Sequence, residues 1–174
     1  SQPQLGMNQG DWEAAREGRL VILMWHALAP GTGDPEDFDL SDCSTQRNLS
    51  AEGRAQARAI GARLRRHGIR DARVFTSQWC RCRDTARLLD AGEVRDLPAL
   101  NSFFGRPEEK PRRLGALREW FGGYEADGPV VLVTHQVTIT ALTGVFPRSG
   151  EMVLVYPDRL PGPEAVRFRI GIDP

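Results

Sequence analysis

Two histidines of this chain follow apolar runs in the same way. His26 stands just after Leu20-Val21-Ile22-Leu23-Met24 and opens the glycine- and proline-bearing loop Ala27-Leu28-Ala29-Pro30-Gly31, and His135 directly follows Val130-Val131-Leu132-Val133-Thr134. If both runs are buried strands of an open parallel sheet, their imidazoles converge, because ligands of such sheets sit beyond the carboxyl ends of the strands. Arg81 lies in a third segment, Ser77-Gln78-Trp79-Cys80-Arg81-Cys82-Arg83-Asp84-Thr85-Ala86, and falls in the first turn of the helix that should follow a strand over 72–77. Helix starts attract anions through unpaired amide hydrogens and the positive end of the dipole. A guanidinium there adds a planar fork matched to phosphate oxygens. Two imidazoles and one such arginine point to chemistry on a phosphate.

The elements that would position these groups alternate in period along the 174 residues. A short helix is predicted over 11–18 and the first strand over 20–24, followed by a long polar loop through Gly31, Gly33, Asp34, Pro35 and Asp42. Ser50 offers an N-cap for an amphipathic helix over 51–67, with Gly68 as its stop. Strand 72–77, helix 80–89, a short strand over 94–97, helix 108–121, strand 130–134 and helix 137–143 come next. Two apolar runs, 152–156 and 166–170, close the chain, and the second alternates as an edge strand with one wet face should. This order predicts an α/β fold: a three-layer α/β/α sandwich on a mostly parallel central sheet, with one edge strand antiparallel. The length fits a single domain over 1–174.

Composition narrows the partners. Acidic and basic residues balance at 23 each, which favours neither nucleic acid nor an anionic membrane surface, and no apolar run reaches the roughly 18 residues of a membrane span. Nearly all the basic residues are arginine, with Lys110 the only lysine. Cys43, Cys80 and Cys82 fit no common zinc spacing, so no metal site is expected. They are either reduced thiols, or Cys43 bridges Cys80 or Cys82 and pins the first loop over the pocket. The cysteines, the lone lysine and a start at serine lean toward an exported, periplasmic location over a cytoplasmic one. His67, near a helix end where a cation complements the dipole, is read as structural.

Four blocks stand in order along the chain, Trp25-His26-Ala27, Leu49 to Ala57, Ser77 to Ala86 and Val133-Thr134-His135, and together they resemble the histidine phosphatase superfamily, with its phosphoglycerate mutase-like fold. The block Ser77, Arg81, Thr85, Ala86 matches the family's Ser-x-x-x-Arg-x-x-x-Thr-Ala pattern, and Leu49-Ser50-Ala51-Glu52-Gly53-Arg54-Ala55-Gln56-Ala57 matches Leu-Ser-x-x-Gly-x-x-Gln-Ala. Trp25-His26-Ala27 stands where the family has Arg-His-Gly or Arg-His-Ala, and Val133-Thr134-His135 supplies the second histidine. The resemblance, from about Leu20 to Gly144, implies a phosphomonoester hydrolase without a cofactor. In such an enzyme His26 attacks phosphorus to form a phosphohistidine, and Arg81 and His135 balance charge on the transferring oxygens. It also makes Arg47, in the loop Thr45-Gln46-Arg47-Asn48, a candidate for binding the phosphate. The partner expected is a small phosphorylated substrate or inorganic phosphate; the oligomeric state is left open. Family mutases are generally longer, with insertions that enclose the substrate, so hydrolysis is preferred to transfer.

Two departures from the family pattern stand out. Trp25 replaces the arginine before the nucleophile and offers one donor and no charge. Loss of such a preorganised cation costs roughly 3 kcal/mol of transition-state stabilisation, about a hundredfold in rate. Asn101, in Leu100-Asn101-Ser102-Phe103-Phe104, stands where family members carry an acidic residue, and an amide cannot protonate a leaving alkoxide. Glu108 is the preferred substitute, with Glu109, Asp34 and Asp42 as alternatives. Phe103, Phe104 and Trp79 are expected at the mouth of the pocket, where they would favour a substrate with an apolar portion. The competing reading is a degenerate relative that keeps the phosphate pocket and binds a phosphorylated ligand or a partner without turnover.

Overall fold

A computed structural model describes residues 7–171. Strands β1 (Val21–Trp25), β2 (Ala72–Thr76), β3 (Gly92–Asp96), β4 (Val130–Thr134), β5 (Met152–Val155) and β6 (Val166–Ile170) form one sheet in the order β3-β2-β4-β1-β5-β6. The first four in that order are parallel, β5 pairs antiparallel with β1, and the edge strand β6 pairs antiparallel with β5. The antiparallel pairing thus begins one strand further in than the sequence implied. On β6 the alternation holds: Arg167 and Arg169 are exposed and Ile170 is buried.

Helices α1 (Gln9–Glu17), α2 (Ala51–Arg66), α3 (Cys80–Leu89), α4 (Lys110–Gly123) and α5 (Gln136–Thr143) complete the sandwich. The central strands bury both faces. Ile22 and Met24 of β1 and Val131 and Val133 of β4 pack with Trp12 of α1, Leu64 of α2 and Leu89 of α3. Their neighbours Val21, Leu23, Val130 and Leu132 pack on the opposite face with Leu117 of α4 and Ile139 and Leu142 of α5. Near-continuous apolar runs are what a covered parallel sheet requires.

Local chemistry sets the element ends. Asn8 and Asp11 form a reciprocal capping box, which starts α1 two residues before the predicted position. The predicted helix over 108–121 is split. Pro107–Glu109 form a tight 3-10 turn and α4 proper starts at Lys110 with Pro111 in its first turn, where the missing amide hydrogen leaves no carbonyl unpaired. β3 starts at Gly92, earlier than expected, because a Cβ there would come within 1.8 Å of the Ala72 carbonyl oxygen of β2. Only glycine permits that approach. His67 stacks flat on Trp12 with ring centroids 4.0 Å apart, a packing role.

Register explains how distant residues meet. Trp25 pairs with Thr134 and Thr76 pairs with Val133, so the residues after β1, β2 and β4 emerge side by side at one sheet edge. The ladder continues one step past the strands: the His26 amide donates to the Thr134 carbonyl at 3.1 Å, and the Ser77 amide to the Val133 carbonyl at 3.1 Å.

Candidate active site

A cavity of about 390 Å³ opens at that edge, with His26, Arg81 and His135 on its walls. All three are buried, at 1%, 3% and 3% exposure, and the two imidazole centroids stand 5.7 Å apart. Trp25, Asp34 and Arg47 also line it.

The two sequence blocks flanking α2 and α3 hold the loop after His26. Ser50 caps α2 by accepting from the Gly53 amide, and a Cβ on Gly53 would lie 2.0 Å from the Leu28 carbonyl oxygen. Helix and loop can touch there only through glycine. Gln56 Oε1 accepts from the Leu28 amide at 2.9 Å, while its Nε2 donates to the Ser149 carbonyl at 3.3 Å. Thr85 Oγ1, one turn beyond Arg81, accepts the Ala27 amide at 3.0 Å and donates to the Arg81 carbonyl at 2.7 Å. The peptide next to His26 is therefore fixed from two helices.

That peptide sets the tautomer of the nucleophile candidate. His26 Nδ1 lies 2.8 Å from the Ala27 carbonyl oxygen, which can only accept, so Nδ1 carries the proton and Nε2 keeps its lone pair. Trp25 Nε1 donates to Nε2 at 3.0 Å and Arg81 Nε donates to it at 3.1 Å. Burial drives the His26 pKa down to about 3 against the pull of the Ala27 carbonyl, and Arg81 pushes the same way. The ring is neutral at physiological pH. His135 is held well below its usual value, first by burial and then by His26, Arg81 and Arg47. Its Nε2 lies 2.8 Å from Ser77 Oγ, which itself accepts the Trp79 amide at 3.1 Å.

All three nitrogens of the Arg81 guanidinium are engaged. Its Nη1 and Nη2 reach the two carboxylate oxygens of Asp34 at 2.9 and 3.3 Å, and Nη1 also donates to the Arg47 carbonyl at 3.3 Å. Burial would raise the Asp34 carboxyl, but hydrogen bonds from Arg81, the Arg47 amide and Trp79 Nε1 outweigh it and hold Asp34 below the usual carboxylate range. Asp34 is an anion seated on the fork of the arginine.

Arg47 reaches the pocket, yet its Nε donates to the Gly33 carbonyl at 2.6 Å and Nη1 to the Ala29 carbonyl. It braces the first loop from within. Cys43 is disulfide-bonded to Cys80, with Cα atoms 5.7 Å apart, which ties that loop to the start of α3; Cys82 stays free and buried, its thiol pushed up to about 12 by burial. Gln46 adds a second tie by accepting the Cys80 amide through Oε1 at 3.0 Å.

Some expected residues lie elsewhere. Glu108 is exposed in the turn before α4 and does not line the pocket, because the 3-10 turn that Pro107 opens carries it along the surface. Glu109 is committed to Arg106, Arg112 and Arg113, and Asp42 caps the turn Cys43–Thr45. Asn101 is buried and structural: it accepts from the Gln78 amide and donates to Gln78 Oε1, both at 2.8 Å. Phe103 is buried, whereas Phe104 and Trp79 line the cavity. Asp34, Glu36, Ser102 and Arg106 also line the cavity, and of these the sequence reading singles out only Asp34, as an alternative acid. Among the described residues no group of three His, Cys, Asp or Glu side chains is arranged to hold a metal ion, and no helix is long and apolar enough to cross a membrane.

Comparison with known proteins agrees with the fold. The model of the histidine phosphatase superfamily (branch 1) matches residues 41–113, which include Arg47, the Gly53 block and the Arg81 block. No curated protein matches the chain in sequence. Among solved structures, a candidate phosphohistidine phosphatase, SixA of Agrobacterium tumefaciens, superposes with a TM-score of 0.57 at 19% identity, over 88% of this chain and 97% of that one. The protein histidine phosphatase SixA complexed with tungstate gives 0.54 at 15% identity, over 87% and 96%. Mycobacterial glucosyl-3-phosphoglycerate phosphatase in complex with VO3 gives 0.54 at 16% identity, over 79% and 92%. The chain has the phosphoglycerate mutase-like fold of the histidine phosphatases, as its motifs implied.

Proposed function

We propose that this protein is a phosphomonoester hydrolase that works through a phosphohistidine on His26. One observation carries the reading: His26 Nε2, unprotonated and buried, is met by two N–H donors at 3.0 and 3.1 Å. When phosphorus occupies the place in front of Nε2, its equatorial oxygens come within reach of the same Trp25 and Arg81 hydrogens. The two donors pass from the Nε2 lone pair to those oxygens as the lone pair turns to phosphorus, so the developing charge meets hydrogens already at hand. In the first step the Nε2 lone pair forms a P–N bond as the bond from phosphorus to the leaving oxygen breaks, with the electron pair departing on that oxygen. In the second, water attacks phosphorus, the P–N electron pair returns to Nε2 and inorganic phosphate is released.

Two carboxyls line the pocket, Asp34 and Glu36; Arg81 holds Asp34 ionised, so Asp34 cannot protonate a departing alkoxide, and Glu36 is exposed to solvent. Leaving groups that depart with little help, such as aryl oxides or the imidazole of a phosphohistidine, suit this site best. The tungstate and VO3 complexes of the structural neighbours support a tetrahedral or trigonal oxyanion as the occupant. The Cys43–Cys80 bridge supports an oxidising, exported location.

A second reading, a phosphate-binding module without turnover, is favoured by Asp34, which already holds the arginine fork, together with Trp25 in place of a cation. Turnover of p-nitrophenyl phosphate between pH 4 and 8 separates the two. The hydrolase reading expects Trp25→Arg to raise turnover at least about tenfold and His26→Ala to abolish it. Equal inertness of all three proteins with phosphate still bound would overturn hydrolysis.

A further inference from the structure

Phe104 and Phe146 are the two large apolar side chains left exposed among the described residues, at 60% and 73%. Both line one groove of about 480 Å³ whose floor is Val137, Thr140 and Ala141 of α5, with Phe103 beside them. The groove is continuous with the phosphate cavity, because Phe104, Gly105, Gln136 and Val137 line both. The Phe104 ring leans toward the first loop, where a Cβ on Gly33 would sit 3.6 Å from it.

The exposure of Phe146 is built into the backbone around it. Gln136 Nε2 donates to the Pro147 carbonyl at 3.0 Å, Thr140 Oγ1 to the Val145 carbonyl at 2.7 Å, and Arg169 Nη2 to the Phe146 carbonyl at 3.4 Å. Two elements, α5 and β6, thus hold an aromatic ring out of the core, beside the site. An apolar groove that opens into a pocket with a few convergent polar groups is the usual make-up of a ligand site.

We infer that this groove seats the apolar part of the leaving group, so that the substrate is the phosphate ester of an aryl or alkyl-aryl alcohol. The inference rests on the hydrolase reading above. The phosphoryl group lies against His26 and Arg81, the ester oxygen passes Phe104, and the apolar body extends over Val137 and Ala141 to Phe146. The site then supplies little acid catalysis because an aryl oxide needs little, while apolar contact gives the selectivity.

A series of 4-alkylphenyl phosphates tests this, since lengthening the alkyl chain leaves the phenol's acidity nearly constant. From phenyl to 4-butylphenyl phosphate kcat/KM should rise about tenfold or more, each added methylene in an apolar pocket being worth a several-fold gain. In Phe146→Ser the rise should collapse to under about threefold with phenyl phosphate turnover unchanged, and Phe146→Leu should restore most of it. A flat series, with phenyl phosphate still turned over in a His26-dependent way, overturns the groove and leaves the hydrolase standing. A steep series unaffected by Phe146→Ser overturns the assignment to this groove. If no ester is turned over but 4-alkylphenylphosphonates bind more tightly with length, and Phe146→Ser removes the trend, the groove stands and hydrolysis falls. Self-association lost in Phe146→Ser, together with a flat series, would give the face to a second copy and overturn the inference.

Discussion

His26 and His135 occupy equivalent places, one residue past β1 and β4, yet their surroundings differ. His26 has its Nδ1 proton taken by the Ala27 carbonyl and its Nε2 lone pair approached by two donors. His135 has Nε2 2.8 Å from the Ser77 hydroxyl, which accepts the Trp79 amide, and 3.6 Å from Cys82 Sγ, so this nitrogen is taken up inside the wall and either tautomer fits its partners. The sheet gives both rings the same address. The loops decide that Nε2 of His26 keeps a lone pair met by two N–H donors, while Nε2 of His135 is held by Ser77 and Cys82.

Substitutions can break that contrast. If His26 is the nucleophile proposed above, His26→Ala should cost at least about a thousandfold in kcat and abolish an acid-labile phosphoenzyme trapped by rapid quench, as expected of a covalent route. His135→Ala should cost about a hundredfold, the usual effect of losing one oxyanion donor, with the phosphoenzyme still formed. If His135→Ala prevented the phosphoenzyme and His26→Ala did not, the two roles would be exchanged. Thr85→Val sharpens the comparison, because it leaves the Ala27 amide buried without an acceptor and touches only the His26 side. It should lower stability by about 1–3 kcal/mol in a urea titration, and turnover with it, while the His135 side is undisturbed.

Acid should act on both rings. His26 binds a proton in the unfolded chain below about its usual pKa of 6.5 but in the folded protein only near 3, and His135 shifts the same way. Between those limits the unfolded state holds more protons, so stability is complete above pH 6.5 and declines as pH falls toward 3. The urea midpoint should drop between pH 7 and 4, and His26→Gln with His135→Gln should flatten the profile. An unchanged profile in the double variant would show that other groups govern acid sensitivity. The smallest effect is expected from Cys43→Ser, which loosens the loop bearing Asp34 and Arg47 and should weaken phosphate binding a few-fold by calorimetry without unfolding the domain.

The strands, and the meeting of His26, Arg81 and His135 at one cavity, were legible because they obey simple periods. Apolar runs bounded by histidines fix β1 and β4, and the register of a parallel sheet does the rest. The motif residues Gly53, Gln56 and Thr85 were legible as a pattern; their work, holding Leu28 and Ala27, appears only in three dimensions. What could not be read depended on loop paths. Glu108 looked suitable because an acid was wanted, but sequence does not say in which direction a 3-10 turn after Pro107 carries its side chains. Asp34 was one of several loop carboxylates, and its place on Arg81 depends on Trp79, Arg47 and the Cys43 bridge acting together. Phe146 gave no signal at all, since an aromatic residue between a valine and a proline reads as packing until its exposure is seen.

The bond between Cys43 and Cys80 closes a ring of chain that contains all of α2 and β2. A protease that nicked any peptide between the two cysteines would leave two fragments joined, with the Asp34 loop still moored beside Arg81. Such a clipped molecule would run as a single species on a gel until thiol was added. The contact between Asp34 and Arg81 would outlast the continuity of the backbone.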